Sequence, residues 1–330
     1  MLWTRVEGEV GYPETLRRRD GAWSVIHRER GPDPHPKPLA PLPRPIGAPV
    51  APFDGALRPR ALRLDDLPAG GDALSSRIAL LVSETVRVEW IAADLDSPRL
   101  LDLDHDQCLL VVDGEATLDT PLGALRVGGA ECAFLPRGVA HRWRVEARPL
   151  RGLLISFAAE LSLPAGAVTG GLPTHGSPLA LRDARSPRWS HVARSPTNDT
   201  FETSSLRSGE WWRAELRDDP LRSVGWEGRV YPFAFGWEAP LLRAGPAATR
   251  TLVGDACALG FRRGASDPSM EPSEDRVVLA TTLEGEAWLA WEPAGAWGAA
   301  ALPEDVVSGQ PVVTARGLAM TANLALALSP

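Results

Sequence analysis

The chain has 330 residues, of which 35 are basic and 42 acidic, and its formal net charge is -7. Its hydrophobic fraction of 44% and charged fraction of 23% are near the averages of globular proteins and exclude a wholly disordered chain. It contains no apolar run long enough to span a membrane, its acidity argues against a nucleic-acid surface, and three cysteines are too few for a disulfide framework. The first residues lack the apolar segment of a signal peptide, so we expect a cytoplasmic protein.

The first 60 residues predict a strand followed by an extended arm. Residues 22–28 alternate apolar and polar side chains, which is typical of a strand. Residues 32–59 contain ten prolines, and neither a helix nor a central strand tolerates that density. We expect this arm to lie over a core, and a freely flexible linker is the alternative.

Short segments with a period of two dominate the rest of the chain. Between residues 61 and 160 they are separated by turns that contain glycine or proline, which predicts a sandwich or a barrel. Residues 162–200 are loop-rich, and further strand-like segments follow them. We therefore predict an N-terminal β domain at 61–240 and a shortened C-terminal one at 241–330.

The sharpest local motif lies between two predicted strands. Gly129 is followed by Pro136, Gly138 and His141 in the spacing P-x-G-x-x-H. This pattern resembles the second conserved motif of the cupins, which are small jelly-roll barrels. The turn ends one strand and begins the next, so His141 is predicted to point into the barrel mouth.

Gly114 sets the register of the first cupin motif, which reads H-x-H, three or four residues, E, six residues, G. In that register Gln107 occupies the position of the glutamate. The positions of the paired histidines fall on Leu100 and Asp102, or on Leu101 and Leu103. Only His141 therefore matches the expected residue types.

Nearby polar side chains offer an alternative metal site in this first barrel. The candidate oxygen and nitrogen ligands are Asp104, His105, Gln107 and His141. A ferrous or zinc site needs three well-placed protein ligands. The interpretation that we favour is that His141 is a hydrogen-bonded histidine of the barrel and that residues 102–106 form a solvated strand edge.

Four segments, in the same order, resemble the homogentisate 1,2-dioxygenases. They are residues 22–28, 113–138, 163–172 and 224–235. The first, A-W-S-V-I-H-R, resembles the S-W-L-Y-R-I-R segment of that family. The last, V-G-W-E-G-R-V-Y-P-F-A-F, is similar to the bacterial form V-G-W-D-G-x-x-Y-P-Y-x-F. The chain is therefore identified as a member of the homogentisate 1,2-dioxygenase-like family of the cupin superfamily, shortened and divergent in its C-terminal barrel.

The resemblance implies a fold, an activity and an assembly. Homogentisate 1,2-dioxygenases are bicupins that open the ring of homogentisate with O2 at a mononuclear non-haem Fe(II), in aromatic catabolism. Two histidines and a glutamate of the C-terminal barrel hold the iron, and the enzymes assemble as trimers and hexamers. We therefore expect an all-β bicupin with two jelly-roll barrels, a Pro-rich N-terminal arm and a homo-oligomeric state.

The resemblance fails where the family binds iron. The last histidine is His191, and residues 192–330 contain none. Counting back from Gly285 places Ala280 at or near the position of the glutamate ligand, and the histidine position falls around 272–274. The remaining carboxylates would not poise Fe(II) for O2 chemistry as imidazole does. We expect no cofactor, with Fe(II) in the N-terminal barrel as the alternative.

The functional prediction follows from that loss. We expect a degenerate relative that binds a small aromatic acid or acts as an assembly protein. An active ring-cleaving dioxygenase with its metal in the N-terminal barrel is the alternative. The planar guanidinium group of arginine can bind a carboxylate through two hydrogen bonds. The alternative is that the candidate arginines form only a row of charges on the surface. The candidate ligand-binding residues are Arg137, Arg142, Trp143 and Arg144.

Overall fold

The computed structural model describes residues 2–5, 11–29, 37–42, 60–63, 69–82, 86–129, 131–161, 184–190, 200–236, 249–253, 258–264, 277–281, 286–291 and 323–329. Within these ranges the chain forms strands, turns and bends and contains no helix. The all-β prediction is therefore confirmed. A search of the same ranges finds no helix capable of crossing a membrane.

The strands are numbered here in chain order. The first eight are β1 (Leu2–Arg5), β2 (Tyr12–Arg17), β3 (Trp23–Arg28), β4 (Lys37–Pro41), β5 (Arg60–Arg63), β6 (Ile78–Val82), β7 (Val86–Ala93) and β8 (Arg99–Asp102). The next six are β9 (Asp106–Asp113), β10 (Glu115–Thr120), β11 (Gly123–Gly128), β12 (Glu131–Leu135), β13 (Arg142–Val145) and β14 (Leu150–Phe157). They are followed by β15 (Phe201–Arg207), β16 (Glu210–Leu216), β17 (Gly225–Gly228) and β18 (Phe233–Gly236). The last five are β19 (Thr249–Val253), β20 (Ala258–Gly264), β21 (Val277–Thr281), β22 (Glu286–Trp291) and β23 (Asn323–Ser329).

A six-stranded sheet in the order β18-β12-β9-β14-β7-β6 forms the centre of the molecule. Its central strands, β9 and β14, are antiparallel and are buried along most of their length. Leu109 and Leu110 point to opposite faces of β9, yet each is only 1% exposed. Both faces of the sheet are thus covered. This explains why residues 108–112 form a continuous apolar run rather than an alternating pattern.

One face of this sheet packs on a three-stranded sheet in the order β11-β10-β13. Leu118, in the middle strand, lies opposite Leu125 on one side and Trp143 on the other, and all three are buried. They share one core cluster with Leu109 and Leu154 of the central sheet. The two sheets therefore enclose a packed barrel interior whose apolar part lies between them.

The N-terminal strands complete the wall of this core. The predicted strand over residues 22–28 is β3, in a sheet of order β1-β17-β3-β2. Ile26 of β3 lies opposite Trp226 of β17, and both side chains are buried in the core cluster. The two segments that resemble the dioxygenase family at 22–28 and 224–235 thus meet in space.

The Pro-rich arm contributes a strand to a further sheet, of order β4-β16-β15-β8. Within the described ranges, strand β4 pairs with β16 alone, and the pairing is interrupted by an irregularity opposite Arg213 and Ala214. Pro38 and Pro41 fit there because an edge strand needs to donate hydrogen bonds on one side alone. This part of the arm is extended and paired. The rest of the predicted arm, residues 32–36 and 43–59, lies outside the described residues, so the arm as a whole stays a prediction.

The described residues of the C-terminal part form one six-stranded sheet of order β19-β20-β23-β21-β22-β5. Strand β5 comes from residues 60–63 and pairs with β22, so the start of the predicted N-terminal domain is an edge of the C-terminal sheet. The predicted boundary at 240–241 falls outside the described residues. A second barrel, and the domain division itself, therefore stay predictions.

We expect Gly152→Ala to lower the free energy of unfolding by about 1–3 kcal/mol, because overpacking in a sheet centre forces the backbone to move. A Cβ at Gly152 would clash with the carbonyl oxygen of Leu110, where β14 is irregularly paired with β9. Gly128→Ala is the matched control, since its Cβ would come no closer than 3.6 Å to the Glu115 side chain and 4.0 Å to the carbonyl oxygen of Gly114. Urea unfolding of both variants tests this, and equal effects would contradict it.

Candidate functional site

His141 follows the turn at Pro136–Gly138 and is anchored by its backbone. Its N–H donates to the carbonyl of Leu100 at 2.8 Å, and the N–H of Leu100 donates to the carbonyl of His141 at 2.7 Å. The side chain is 1% exposed. The motif therefore places His141 inside the barrel, next to one of the two strand positions where the first cupin motif has its histidines.

The ring of His141 has a defined tautomer. Its Nδ1 lies 3.1 Å from the carbonyl oxygen of Val139, and because a carbonyl only accepts, Nδ1 carries the proton and donates. Burial lowers the pKa of His141 to about 4. The charge of Arg77 also lowers this pKa, whereas the hydrogen bond to the carbonyl of Val139 and the charge of Asp102 raise it. The imidazole is thus neutral near pH 7, and Nε2 carries a lone pair. Among the described residues Nε2 has no hydrogen-bond partner.

Asp102 organises the polar groups beside His141. Its buried carboxylate accepts the Nε2–H of Gln107 at 2.8 Å and the backbone N–H groups of Asp104 and His105 at 2.8 and 2.9 Å. The ring Nδ1 of His105 lies 3.2 Å from the same carboxylate. Because a carboxylate accepts only, the amide of Gln107 is held with its NH2 group toward Asp102.

A buried ion pair lies on the other side of the same region. Arg77 donates through Nε to the carbonyl of Ala73 at 2.9 Å, and its Nη1 lies 3.6 Å from Oε2 of Glu89. Glu89 also accepts the Nε–H of Arg87 at 2.8 Å. Burial lowers the pKa of Arg77, and the negative charges of Glu89 and Asp102 oppose that shift. The guanidinium carbon lies 5.6 Å from the ring centroid of Trp211.

These groups form what we call the interior polar cluster. Its members are Arg77, Glu89, Asp102, Gln107 and His141. All are nearly fully buried, and electrostatic coupling or hydrogen bonds connect each to at least one other member. A buried cluster of this kind can hold a polar ligand group in one orientation, because its own hydrogen bonds keep its side chains in place.

Sequence reasoning identified Gln107 and His141 but missed two charged members, Arg77 in the turn before β6 and Glu89 in β7. The alternating segment Arg87-Val88-Glu89-Trp90 does not say which of its faces is buried. Glu89 lies opposite Leu154, on the face that carries the barrel core. The sequence gives a hint only for Asp102, which occupies one of the histidine positions in the register of the first cupin motif.

The four candidate metal ligands do not converge. Asp104 accepts the backbone N–H groups of Ser208 and Gly209 at 2.9 and 2.8 Å, which commits its carboxylate to a surface turn. His105 and Gln107 both bind Asp102, and His141 is bound through Val139. The described part of the chain contains no group of three His, Cys, Asp or Glu side chains that could hold a metal ion. These residues therefore do not fit a three-ligand Fe(II) centre.

The C-terminal segment that aligns with the family's iron site is only partly described. Ala280 lies in β21, where its backbone pairs with Trp288 of β22 and Ala325 of β23. Residues 272–274, at the predicted histidine position, lie outside the described residues.

The three candidate arginines already bind acceptors of this chain. Arg142 donates to Asp96 at 2.9 Å, and Arg144 donates to Asp119 at 3.0 Å. Arg137 donates through Nη2 to the carbonyl of Ala158 at 2.7 Å and lies beside a further carboxylate. Trp143 is buried in the core. A ligand role for these four residues stays a prediction, and in each arginine part of the guanidinium group is already bound to an acceptor of this chain.

The carboxylate beside Arg137 is Asp106, which is 0% exposed. It accepts the backbone N–H groups of Arg137 and Leu161 at 2.9 and 2.7 Å and the Nη2–H of Arg18 at 2.9 Å. Asp106 thus ties the start of β9 to the end of β2 and to the turn that leads to His141. It holds the cupin-like motif in place rather than offering a free binding group.

Residues 78–237 match the family model of the homogentisate 1,2-dioxygenase N-terminal region. The chain is homogentisate 1,2-dioxygenase-like over these residues. It is 28% identical over 194 residues to the homogentisate 1,2-dioxygenase of Pseudomonas syringae pv. tomato, covering 55% of this chain and 43% of that protein. The chain thus matches less than half the length of this curated relative.

Two solved structures are also similar to this homogentisate 1,2-dioxygenase-like chain. The hydroquinone 1,2-dioxygenase of Sphingomonas sp. TTNP3, with 4-hydroxybenzoate bound, is 19% identical, with a TM-score of 0.23 over 25% of this chain and 65% of that one. A cupin 2 conserved barrel domain protein from Leptotrichia buccalis is 8% identical, with a TM-score of 0.38 over 82% of this chain and 89% of that one. The family match, rather than these distant superpositions, confirms the resemblance that the sequence predicted.

The family match also locates the interior polar cluster. Glu89, Asp102, Gln107 and His141 lie inside the matched residues 78–237, and Arg77 immediately precedes them. The cluster therefore belongs to the N-terminal region of this homogentisate 1,2-dioxygenase-like protein. The segment that was aligned with the iron site, around 272–285, lies beyond the match.

Proposed function

We propose that this homogentisate 1,2-dioxygenase-like chain binds a small aromatic acid without opening its ring. The observation that carries the proposal is the missing imidazole set: residues 192–330 contain no histidine. Ring opening in such enzymes requires an iron with open coordination positions, which two histidines and a carboxylate provide. The described donors of the N-terminal region do not replace that set.

The aromatic acid is favoured as the ligand class by two separate features. The family match carries an expectation of aromatic chemistry, and hydroquinone 1,2-dioxygenase, a similar structure, has 4-hydroxybenzoate bound. The interior polar cluster supplies a buried cation and a neutral hydrogen-bond acceptor in one place. A small ligand that combines an apolar ring with polar substituents matches that combination.

The test uses the full chain, before and after anaerobic loading with Fe(II) and desalting. We expect metal content well below one ion per chain by mass spectrometry, and no homogentisate-dependent O2 uptake in either sample. Benzoate or 4-hydroxybenzoate at about 100 times its Kd is expected to add about 2.7 kcal/mol of stability and so to raise Tm by several degrees. Robust O2 uptake, or no shift with either acid, would refute the proposal.

One observation favours the alternative of an Fe(II) dioxygenase with its metal in the N-terminal barrel. The lone pair of His141 Nε2 has no partner among the described residues, and imidazole nitrogen is a good iron ligand. This alternative predicts about one Fe(II) per loaded chain and its loss in His141→Gln, with the fold retained by circular dichroism. Iron that stays bound in His141→Gln would exclude the N-terminal site.

Self-association is a further part of the proposal, based on the family resemblance. We expect a trimer or a hexamer by sedimentation velocity or by light scattering after gel filtration. A monomer at micromolar concentration would contradict it.

A further inference from the structure

A short segment joins the edges of two sheets that pack on each other. Strand β18 is an edge of the six-stranded sheet, and β11 is an edge of the three-stranded sheet. Residues 184–190, which we call the strap, pair with both. Arg185 donates its backbone N–H to the carbonyl of Ala234 in β18 at 2.7 Å and accepts the N–H of Ala234 at 2.9 Å. Arg188 and Ala124 of β11 exchange the same two bonds at 2.8 and 3.1 Å, so the strap fastens the two sheets together along this side.

These two edges need a cover. Within the described ranges, β11 and β18 each pair with one strand only, which is β10 for the first and β12 for the second. An edge strand presents N–H and C=O groups that can pair with another chain, and natural proteins cover such edges with loops or helices. The need is greatest at β18, because this strand carries Phe233 and Phe235. The strap therefore protects edges that strand pairing leaves open.

An aromatic side chain anchors the strap. Trp189 packs against the core cluster, and its indole N–H donates to Oγ of Ser223 at 3.0 Å. Ser223 in turn donates to the carbonyl of Pro121, in the turn before β11. The backbone of Arg188 and Trp189 passes so close to Gly123 that a Cβ there would clash with it. The strap therefore fits against the start of β11, where Trp189 holds it.

The other attachments of the strap to the described residues are light. The side chains of Arg185, Arg188 and Ser190 are exposed. Arg185 forms an ion pair with Glu131, but the two side chains are 51% and 24% exposed, and such pairs contribute little. The strap meets each edge at an isolated bridge, whereas β10 pairs with β11 along its whole length. Segments with few buried apolar contacts open locally at a lower free energy than core strands do.

We propose that the strap is a detachable cover, which leaves both edges as one unit while the two packed sheets stay folded. The two bridges lie three residues apart on one backbone, and Trp189 directly follows the second of them, so displacing the ring pulls on both bridges. The strap thereby exposes and covers the edges of β11 and β18 without unfolding of the barrel. This inference does not depend on the proposed function.

Native-state hydrogen exchange of the full chain, followed by NMR, tests the proposal. The reporters are the four bridging amides, which belong to Ala124, Arg185, Arg188 and Ala234. All four are expected to share one protection factor, at least a hundredfold below that of the amides in β9 and β14. This factor is expected to change little with urea below the unfolding transition, because local opening exposes little surface. Protection equal to that of β9 and β14 would overturn the proposal.

A disulfide lock tests whether the strap moves as one unit. Because Ala124 and Arg188 exchange two hydrogen bonds, their Cα atoms are about 5.5 Å apart, which a disulfide can span. In the oxidised double variant Ala124→Cys/Arg188→Cys, the amides of Arg185 and Ala234 at the other edge are expected to exchange at least tenfold more slowly than in its reduced form. Unchanged exchange at that edge would mean that the two bridges open separately, which would overturn the proposal.

A second variant decides the question if the double variant fails to fold or to oxidise. Trp189→Phe keeps an aromatic ring and removes the donor to Ser223, so it is expected to speed the exchange of all four bridging amides about fivefold. The amides of β9 and β14 are expected to keep their protection. Trp212→Phe is the matched control, because Trp212 is exposed in β16, and it is expected to change none of these rates. Equal effects of the two variants, or faster exchange at one edge alone, would contradict a strap that opens as a unit.

Discussion

Asp106→Asn is expected to lower the free energy of unfolding by about 3–5 kcal/mol, the usual cost of removing one partner from a buried ion pair. The carboxylate of Asp106 is fully buried and receives the guanidinium of Arg18 and the backbone N–H groups of Arg137 and Leu161. The amide would leave Arg18, whose side chain is 9% exposed, without its counter-charge. Chemical denaturation followed by tryptophan fluorescence measures the change.

Glu115→Gln is the matched control for this prediction. Glu115 is paired with Arg126, but the two side chains are 39% and 66% exposed, and exposed pairs contribute about 0–1 kcal/mol. The prediction is contradicted if the two variants lose similar stability. Because Arg137 belongs to the turn that leads to His141, Asp106→Asn is also expected to weaken any ligand that binds at His141.

His141 is expected to make the folded state lose about 3 kcal/mol of stability as the pH falls from 6.5 to 4. Its pKa is lowered from 6.5 to about 4 in the folded chain, chiefly by burial. Between these values the unfolded chain binds a proton on His141 that the folded chain does not. The stabilisation is therefore complete above pH 6.5 and declines by about 1.4 kcal/mol per pH unit below it.

The measurement compares the pH dependence of unfolding in the wild type and in His141→Gln. The groups that act on His141, which are Arg77, Asp102 and the Val139 carbonyl, remain in the variant. The difference between the two curves is expected to decrease steadily as the pH falls from 6.5 to 4. A constant difference would mean that His141 binds protons equally in the folded and unfolded chains, so that folding does not lower its pKa.

The two expectations share a structural cause. Asp106 and Gln107 are consecutive residues of β9, and they point to opposite faces of the same sheet. Asp106 fastens the turn before His141 from one face, while Gln107 joins the interior polar cluster on the other. Two adjacent residues of one buried strand therefore have different roles: Asp106 stabilises the motif, and Gln107 belongs to the interior polar cluster.

Local sequence patterns are enough to predict the class of fold and the position of the most distinctive histidine. Period-two segments and frequent turns predict an all-β chain, and the P-x-G-x-x-H spacing places His141 directly after a turn. Local patterns suffice for these features because turns and strands depend on neighbouring residues. The resemblance to the dioxygenase family likewise depends only on the matching segments and their order along the chain.

Which polar side chains are buried cannot be predicted from local patterns and depends on how the strands pack. A period of two says that Arg87 and Glu89 share a face, but not whether that face meets water. In this fold both faces of the central sheet are covered, so Glu89 is buried together with Arg77, which comes from the turn before β6. The candidate arginines show the converse: Arg144 meets Asp119 because β13 pairs with β10, and the loop between β7 and β8 brings Asp96 to Arg142. Burial and charge pairing depend on what packs across a sheet, and that information is not local.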